Sequence, residues 1–216
     1  SIEDPDRATL IEGNYSLRSP EEMAEIFAHV PEAVKNSVKI AESIDLQIDY
    51  GKTLIPKFEL NDDVQKEYEE YIANLPPGIQ KLQEEEWDLR RLCYRGLNYR
   101  YDFDISEEII TEFTHKQIVP APEKRLSDMS LEELIERSVA YQTPRKKELI
   151  ASWDPVKQER INRLEYELTV VDLMGFNGYF NIVSDFINWA KANGVPVGPG
   201  RGSAAGAILA YVSGIT

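Results

Sequence analysis

The sequence predicts a mostly helical α+β fold with short β-strands, and three observations lead to that class. Apolar residues recur at helical intervals, as in Ile161, Leu164, Leu168 and Val171. Capping signals come before the helical segments, and short alternating or proline-containing stretches separate them. With 216 residues, 42% apolar and 29% charged, the chain can form one or two domains with a sizeable core.

The N-terminal third begins with a capping-box pattern. Ser19 is followed by Pro20 at the first helical position and by Glu22 three residues after the cap, which predicts a helix from there. A second helix is predicted over residues 31–43. Residues 46–50 alternate in polarity and predict a short strand, and residues 54–58 are expected to be extended because Pro56 disfavours helix before it.

The middle of the chain contains one strong helical pattern, over residues 84–99. Residues 102–156 show only short helical patterns, interrupted by Pro120, Pro122 and Pro144. We therefore expect this stretch to be an acidic surface insertion.

The last sixty residues have the clearest pattern. Two helices are predicted, one from about residue 155 and the other over residues 178–192, the second with an apolar face broad enough to be buried on most sides. A glycine-rich loop at residues 198–203 follows, and a further helix is predicted from about residue 204.

Charge is distributed unevenly along the chain. The net charge is −14, but residues 157–216 contain five basic and five acidic groups and are neutral. Such an acidic chain does not fit a DNA-wrapping surface, which needs clustered Lys and Arg, so any anion site is expected near the C-terminal end. One cysteine, Cys93, excludes an internal disulfide, and the distant His29 and His115 do not suggest a zinc site.

The loop Gly198-Pro199-Gly200-Arg201-Gly202-Ser203 has the composition of a phosphate site. Alternating glycines let backbone N–H groups converge on an anion. Ser203 is placed to cap the helix that follows, whose N-terminus favours negative charge, and Arg201 adds a permanent cation. The spacing is neither a Walker A nor a Gly-x-Gly-x-x-Gly pattern. From spacing alone, a glycine-proline turn entering a buried helix, with Arg201 in solvent, remains open.

Longer blocks of sequence resemble the C-family bacterial replicative DNA polymerases, the DNA polymerase III alpha subunits. The resemblance covers roughly residues 1–58, 85–101 and 157–216. Its most specific part joins the Met174-Gly175-Phe176-Asn177-Gly178-Tyr179-Phe180 block to the glycine loop and continues to Gly214-Ile215-Thr216. Asn177, Asn181 and Ala207 depart from the residues usual in the family, and at the first two we expect effects on helix entry and packing only.

The resemblance implies a domain order. Residues 1–58 would be the C-terminal remnant of the phosphoesterase-like PHP domain, and residues 59–156 a connecting region with an acidic insertion. Residues 157–216 would be the first part of a nucleotidyltransferase palm related to polymerase beta. The chain would be an internal piece of a cytoplasmic protein.

The resemblance also implies roles for residues. Gly202 and Ser203 would contact the triphosphate of the incoming dNTP, with Gly200 and Arg201 completing the site. The polymerase reaction uses two Mg²⁺ ions held by aspartates, and no catalytic or metal-binding residue is expected in this chain, so it should be inactive alone. Partners of the longer protein would be primer–template DNA and replicase subunits such as the sliding clamp and clamp loader, and no membrane.

Two other classes of function remain open. A non-catalytic phosphate- or nucleotide-binding helical module predicts a gene that ends near Thr216, whereas a polymerase predicts an Asp-x-Asp strand a few tens of residues downstream. A helical interaction scaffold with an acidic surface predicts that Arg201→Ala leaves anion binding unchanged.

Overall fold

The computed structural model describes residues 14–48, 50–51, 56–198, 200 and 202–216. It divides the chain into two compact units, Ser1–Thr53 and Leu54–Thr216. Predictions that concern residue 49, residues 54 and 55, or Arg201 lie outside the described residues. The assignment of residues 1–58 to a PHP domain, with the other domain boundaries, stays a prediction.

The first unit contains two helices at the predicted places, α1 (Pro20–Ile26) and α2 (Pro31–Glu42). The capping box is confirmed: the Glu22 amide donates to Ser19 Oγ at 3.2 Å, and the Ser19 amide donates to Glu22 Oε2 at 2.9 Å. Neither helix has a buried residue. Local signals therefore account for these helices better than packing does.

The second unit is also helical. Its α-helices are α3 (Asp62–Ala73), α4 (Glu84–Tyr101), α5 (Glu107–Thr114), α6 (Leu131–Tyr141), α7 (Pro144–Ala151), α8 (Pro155–Leu173), α9 (Asn177–Ala192) and α10 (Ile208–Val212), and two short 3₁₀ turns span Leu126–Asp128 and Ser203–Gly206. The mostly helical class is thus confirmed. The helices predicted over 84–99, from 155 and over 178–192 correspond to α4, α8 and α9.

The core of this unit forms around α4. Leu89, Cys93, Tyr94 and Leu97 of this helix are fully buried, and α4 contacts α5, α9 and α10. Each such aliphatic or aromatic side chain contributes about 1.5–3 kcal/mol by leaving water. Three glutamates in the first turn of α4 stabilise the helix, because their negative charges lie at the positive, N-terminal end of its dipole.

Gly96 lets α4 and α10 approach each other at backbone distance. A Cβ built at this position would lie 1.9 Å from the carbonyl oxygen of Val212. No side chain fits there without separating the two helices, so this glycine sets the position of α10.

The short β-strands of the predicted fold are not found in the described residues, which contain only an isolated antiparallel bridge between Ile79 and Gln117. The strand expected over residues 46–50 is irregular at its described positions. Alternating polarity produces a stable strand only where other strands or a helix cover it, and none of the described residues pairs with this segment.

The interpretation of residues 102–156 as a surface insertion is wrong. Phe103, Ile105, Ile110, Phe113 and Ile150 belong to the same core cluster as α4. Short helices can still turn an apolar side inward, and Pro144 occupies the first turn of α7, where it starts the helix.

The apolar stripe predicted to be buried on α8 is buried, whereas α9 forms as predicted but does not bury its broad apolar face. Ile161, Leu164, Leu168 and Val171 of α8 are all buried. In α9 the buried residues are Asn177, Gly178, Asn181 and Ser184, whereas Tyr179, Phe186 and Trp189 are exposed. The small polar face packs inward because it satisfies backbone carbonyls: Asn181 Nδ2 donates to the Glu85 carbonyl at 2.9 Å.

Candidate nucleotide-phosphate site

The glycine loop lies on the surface of the second unit between α9 and α10. Gly200 has φ 119° and Gly202 has φ 65° with ψ −162°. Side-chain-bearing residues rarely adopt these conformations, and the second is essentially limited to glycine. Gly200, Gly202 and Ser203 are exposed to solvent, so these three of the four predicted phosphate-contacting residues lie in an open, glycine-dependent turn.

The helix predicted from about residue 204 is not continuous. Ser203–Gly206 forms a 3₁₀ turn, Ala207 is extended with φ −83° and ψ 134°, and α10 starts only at Ile208. Ser203 is therefore the first residue of a turn and not a helix N-cap, and Gly202 precedes it without a capping side chain. Gly206 weakens helix propagation at this point. The loop therefore leads into a short 3₁₀ turn and not into a continuous helix.

The N-terminus of α10 is capped from inside the protein. Glu167 Oε2 accepts a hydrogen bond from the Leu209 amide at 2.9 Å, and the other carboxylate oxygen accepts from Arg163 Nε at 2.7 Å. A buried carboxylate at a helix N-terminus offsets both the unpaired N–H and the dipole. The end of α10 is consequently not free for a phosphate. Sequence reasoning missed this role because the pair is separated by 42 residues.

Gly200 is placed against the end of the chain. A Cβ at Gly200 would lie 2.8 Å from Thr216 Cγ2. The Thr216 carbonyl accepts a hydrogen bond from Arg100 Nη2 at 3.1 Å, and the Arg100 guanidinium lies 4.5 Å from the Tyr211 ring centre. The loop therefore rests on a turn that is fastened to the C-terminal end of α4.

Side chains of α9 fasten the same turn from the other side. Ser184 Oγ and Asn188 Nδ2 donate to the Ser213 carbonyl at 2.6 and 3.0 Å, and Lys191 Nζ donates to the Gly214 carbonyl at 2.6 Å. Lys191 and Arg100 bring two cations to the turn that supports the loop. The charge of Lys191 was visible in the sequence, but its placement was not.

A largely apolar cleft of about 460 Å³ borders the loop. Its lining residues are Tyr179, Phe180, Val183, Phe186, Ile187, Val197, Gly198, Gly200, Ala204, Ala210 and Ile215. The exposed apolar face of α9 thus continues to the glycine loop.

In the interior of the second unit, a network of buried charges joins α4, α7 and α8. Glu165 Oε1 lies 2.9 Å from Lys146 Nζ and 2.5 Å from Tyr94 Oη, and Glu165 Oε2 lies 3.5 Å from Arg90 Nη1. Burial alone would raise the pKa of Glu165, but Lys146 and Arg90 outweigh burial and keep it below the usual carboxyl range. Burial lowers the pKa of Lys146 to about 8, with Glu165 opposing the shift. Their hydrogen bonds are directed at one another, which indicates a structural role.

A second part of the network fixes Asp172. Lys116 Nζ lies 2.5 Å from Asp172 Oδ2 and 2.7 Å from Glu86 Oε1. Asp185, by contrast, is exposed. In the described part of the chain, no three His, Cys, Asp or Glu side chains are grouped so that they could hold a metal ion.

Known proteins resemble this chain over its whole length. DNA polymerase III subunits alpha from Pseudomonas aeruginosa and Escherichia coli K12 are each 32% identical over 216 residues, and the one from Thermus aquaticus is 34% identical over 231. A family model described as the bacterial DNA polymerase III alpha NTPase domain matches residues 124–216, which include the glycine loop. The proteins that this chain resembles over its whole length are DNA polymerase III alpha subunits.

The match is complete for the chain but partial for its relatives. The chain spans 13% of the length of the Pseudomonas and Escherichia alpha subunits and 17% of the Thermus one. Among the described residues, no helix combines the length and apolar character needed to cross a bilayer.

Proposed function

We propose that this chain supplies the loop with which a template-directed bacterial DNA polymerase binds the triphosphate of an incoming dNTP. The observation that carries the proposal is the pair of glycines with positive φ, Gly200 and Gly202, in an exposed turn that leads into the short 3₁₀ turn Ser203–Gly206. The family supports the choice of a nucleotide over another anion. Gly200, Arg201, Gly202 and Ser203 are the residues proposed to contact the phosphates.

The proposed contribution is positioning and charge stabilisation. Backbone amides after Gly202 donate to phosphate oxygens, the Ser203 hydroxyl adds a donor, and the Arg201 guanidinium offsets negative charge. The Leu209 amide at the start of α10 already donates to Glu167. The proposed phosphate donors are therefore limited to the loop and the turn Ser203–Gly206. Packing of Gly200 on Thr216 keeps the loop in one place before the nucleotide arrives.

Divalent metal chemistry belongs to the proposed polymerase but not to the described residues of this chain. Two Mg²⁺ ions would supply the activation of the attacking and leaving oxygens. The described carboxylates do not fit such a site, since Asp172 and Glu165 are paired with lysines. We therefore expect no primer extension by this chain alone, and we propose that DNA and the sliding clamp and clamp loader are partners of a longer cytoplasmic polymerase.

Alanine substitutions in the loop of a polymerase containing this chain test the proposal. Gly200→Ala and Gly202→Ala introduce a side chain at positions with φ 119° and 65°, and Arg201→Ala removes the cation. Loss of one charge-assisted contact weakens nucleotide use about ten-fold or more. Single-nucleotide incorporation, with the apparent KM for dNTP as the readout, measures the effect.

Gly198→Ala is the matched control. Nothing lies within 4 Å of a Cβ at Gly198, and its φ is outside the left-handed region. We expect the KM of this variant to equal that of the parent. An unchanged KM in Gly202→Ala and Arg201→Ala would rule out the proposed phosphate contacts.

A further inference from the structure

A group of tyrosines and arginines lies at the surface of the second unit, where α4 ends. Tyr99, Arg100 and Tyr101 are the last three residues of α4, whereas Arg160 belongs to α8 and Tyr211 to α10. Three segments that are distant in sequence therefore meet at one place. We call these five residues the tyrosine–arginine surface.

Measured contacts connect the five side chains. The Arg100 guanidinium lies 5.5 Å from the ring centre of Tyr99 and 4.5 Å from that of Tyr211. The Tyr211 and Tyr101 ring centres are 5.5 Å apart, and the Arg160 guanidinium lies 4.2 Å from the Tyr101 ring centre. Both cations are thus within cation–π distance of a tyrosine, and the five side chains form one connected group.

The two arginines of this group have no carboxylate partner. In the part of the chain that the structure describes, neither Arg100 nor Arg160 forms an ion pair. Arg100 Nη2 donates to a backbone carbonyl, that of Thr216, at 3.1 Å. Acidic side chains outnumber basic ones by 38 to 24, so two neighbouring arginines without a carboxylate favour an anion from outside the chain. Four other arginines of this unit are each paired with a carboxylate, namely Arg90, Arg91, Arg95 and Arg163.

Tyr99 gives the group an open aromatic ring. It is 85% exposed, whereas Tyr94, on the same helix, is fully buried. Exposed rings next to arginines are what proteins use to bind single-stranded nucleic acids, because the rings and guanidinium planes stack on bases while the charges contact phosphates. The tyrosine–arginine surface therefore combines the two kinds of contact that one strand needs.

We propose that the tyrosine–arginine surface binds single-stranded DNA, with Arg100 and Arg160 on the phosphates and Tyr99 stacked on a base. A duplex fits less well, since its bases are stacked on one another and offer Tyr99 no open face. An acidic peptide satisfies the arginines but leaves the Tyr99 ring without a stacking partner. The choice of DNA over RNA rests on the proposed polymerase function.

This strand site is separate from the triphosphate loop but is joined to it. The Thr216 carbonyl accepts from Arg100, and the Thr216 side chain packs on Gly200. The surface would therefore hold a strand of DNA next to the loop that holds the incoming nucleotide.

Fluorescence anisotropy of a labelled oligothymidylate of about 12 nucleotides, titrated with the purified chain at low ionic strength, tests the proposal. We expect saturable binding that is weaker for the duplex with oligodeoxyadenylate and that polyglutamate competes for poorly. Tyr99→Ala removes the stacking ring and should weaken binding about 5- to 100-fold, whereas Tyr99→Trp should retain it. Arg160→Ala removes one phosphate contact, so the slope of log affinity against log salt should become shallower by about 0.7.

Arg145→Ala is the matched control, because this arginine is 64% exposed on α7 and lies outside the tyrosine–arginine surface. Its affinity and salt slope should equal those of the parent. Gly202→Ala should also leave the oligonucleotide affinity unchanged, although it raises the KM for dNTP in the polymerase, so this proposal and the phosphate loop fail separately.

Several outcomes would overturn the strand site. They are the absence of saturable binding, equal affinity for the duplex, equal competition by polyglutamate, and tighter binding of oligouridylate than of oligothymidylate. Unchanged binding in both Tyr99→Ala and Arg160→Ala would do the same, and so would an equal loss in Arg145→Ala.

Discussion

At the scale of single residues, the least expected feature is how many charges lie in the interior. Arg90, Lys146 and Glu165 are each about 1% exposed. An unpaired charge in this setting costs several kcal/mol, whereas a paired one is nearly balanced by its partner. The arrangement therefore depends on every member being present.

Glu165→Gln tests that dependence. Removing the carboxylate leaves Lys146 and Arg90 without their shared partner, and we expect a loss of about 3–5 kcal/mol in the free energy of unfolding. Urea denaturation measures the change. Glu159→Gln, at an exposed position of the same helix, should stay within about 0.5 kcal/mol of the parent.

The same carboxylate predicts a response to acid. The folded-state pKa of Glu165 lies below its unfolded value of about 4.3. Its contribution is therefore fully present above that value and is lost as the pH falls through the lower folded pKa. Unfolding free energies measured from pH 6 downward should decline less steeply in Glu165→Gln than in the parent, and equal slopes would contradict the ion-pair role.

At the scale of elements, α10 is a five-residue helix that depends on α8 for its first turn. Helices this short are not stable on their own. Glu167 supplies the missing cap, and Gly96 allows the close approach of α4.

Glu167→Ala should release α10. The Leu209 amide loses its acceptor in a buried site, which costs about 1–3 kcal/mol, and hydrogen exchange at residues 208–212 should accelerate. Arg163→Ala removes the other partner of Glu167, but the Arg163 side chain is 59% exposed, so we expect a change of about 1 kcal/mol or less. Equal exchange at α10 in Glu167→Ala and the parent would show that the cap is dispensable.

Local signals explain which elements the sequence predicted. Ser19 and Glu22 cap α1 within four residues, and the stripe on α8 is contained in one helix, so both could be recognised from neighbouring positions. The role of Glu167 and the pairing of Lys146 with Glu165 join distant segments, and no local pattern specifies them. The apolar face of α9 misled the prediction because hydrogen bonds from Asn181 and Ser184 decided which side turns inward. In the loop, glycine spacing indicated the backbone conformation, whereas the break at Ala207 has no local signal as strong.

At the scale of the whole molecule, the two units differ in how much they bury. In the described part of the first unit, α1 and α2 contain no buried residue, whereas the second unit has a core cluster that spans α4, α5, α8 and α10. Opening free energies follow buried contacts. Hydrogen exchange followed by mass spectrometry should therefore find α1 and α2 exchanging much faster than α4 and α8. Comparable protection of both sets would contradict this difference.

The contact at Gly96 has a consequence for attempts to alter this protein. Since a carbonyl oxygen fills the volume that any methyl group would need, the spacing of α4 and α10 is defined by main-chain atoms alone. Redesign of the neighbouring side chains can change the melting temperature without changing the distance between α4 and α10. The glycine loop should therefore keep its position in most core mutants. Position 96 itself should tolerate no replacement in a saturation library.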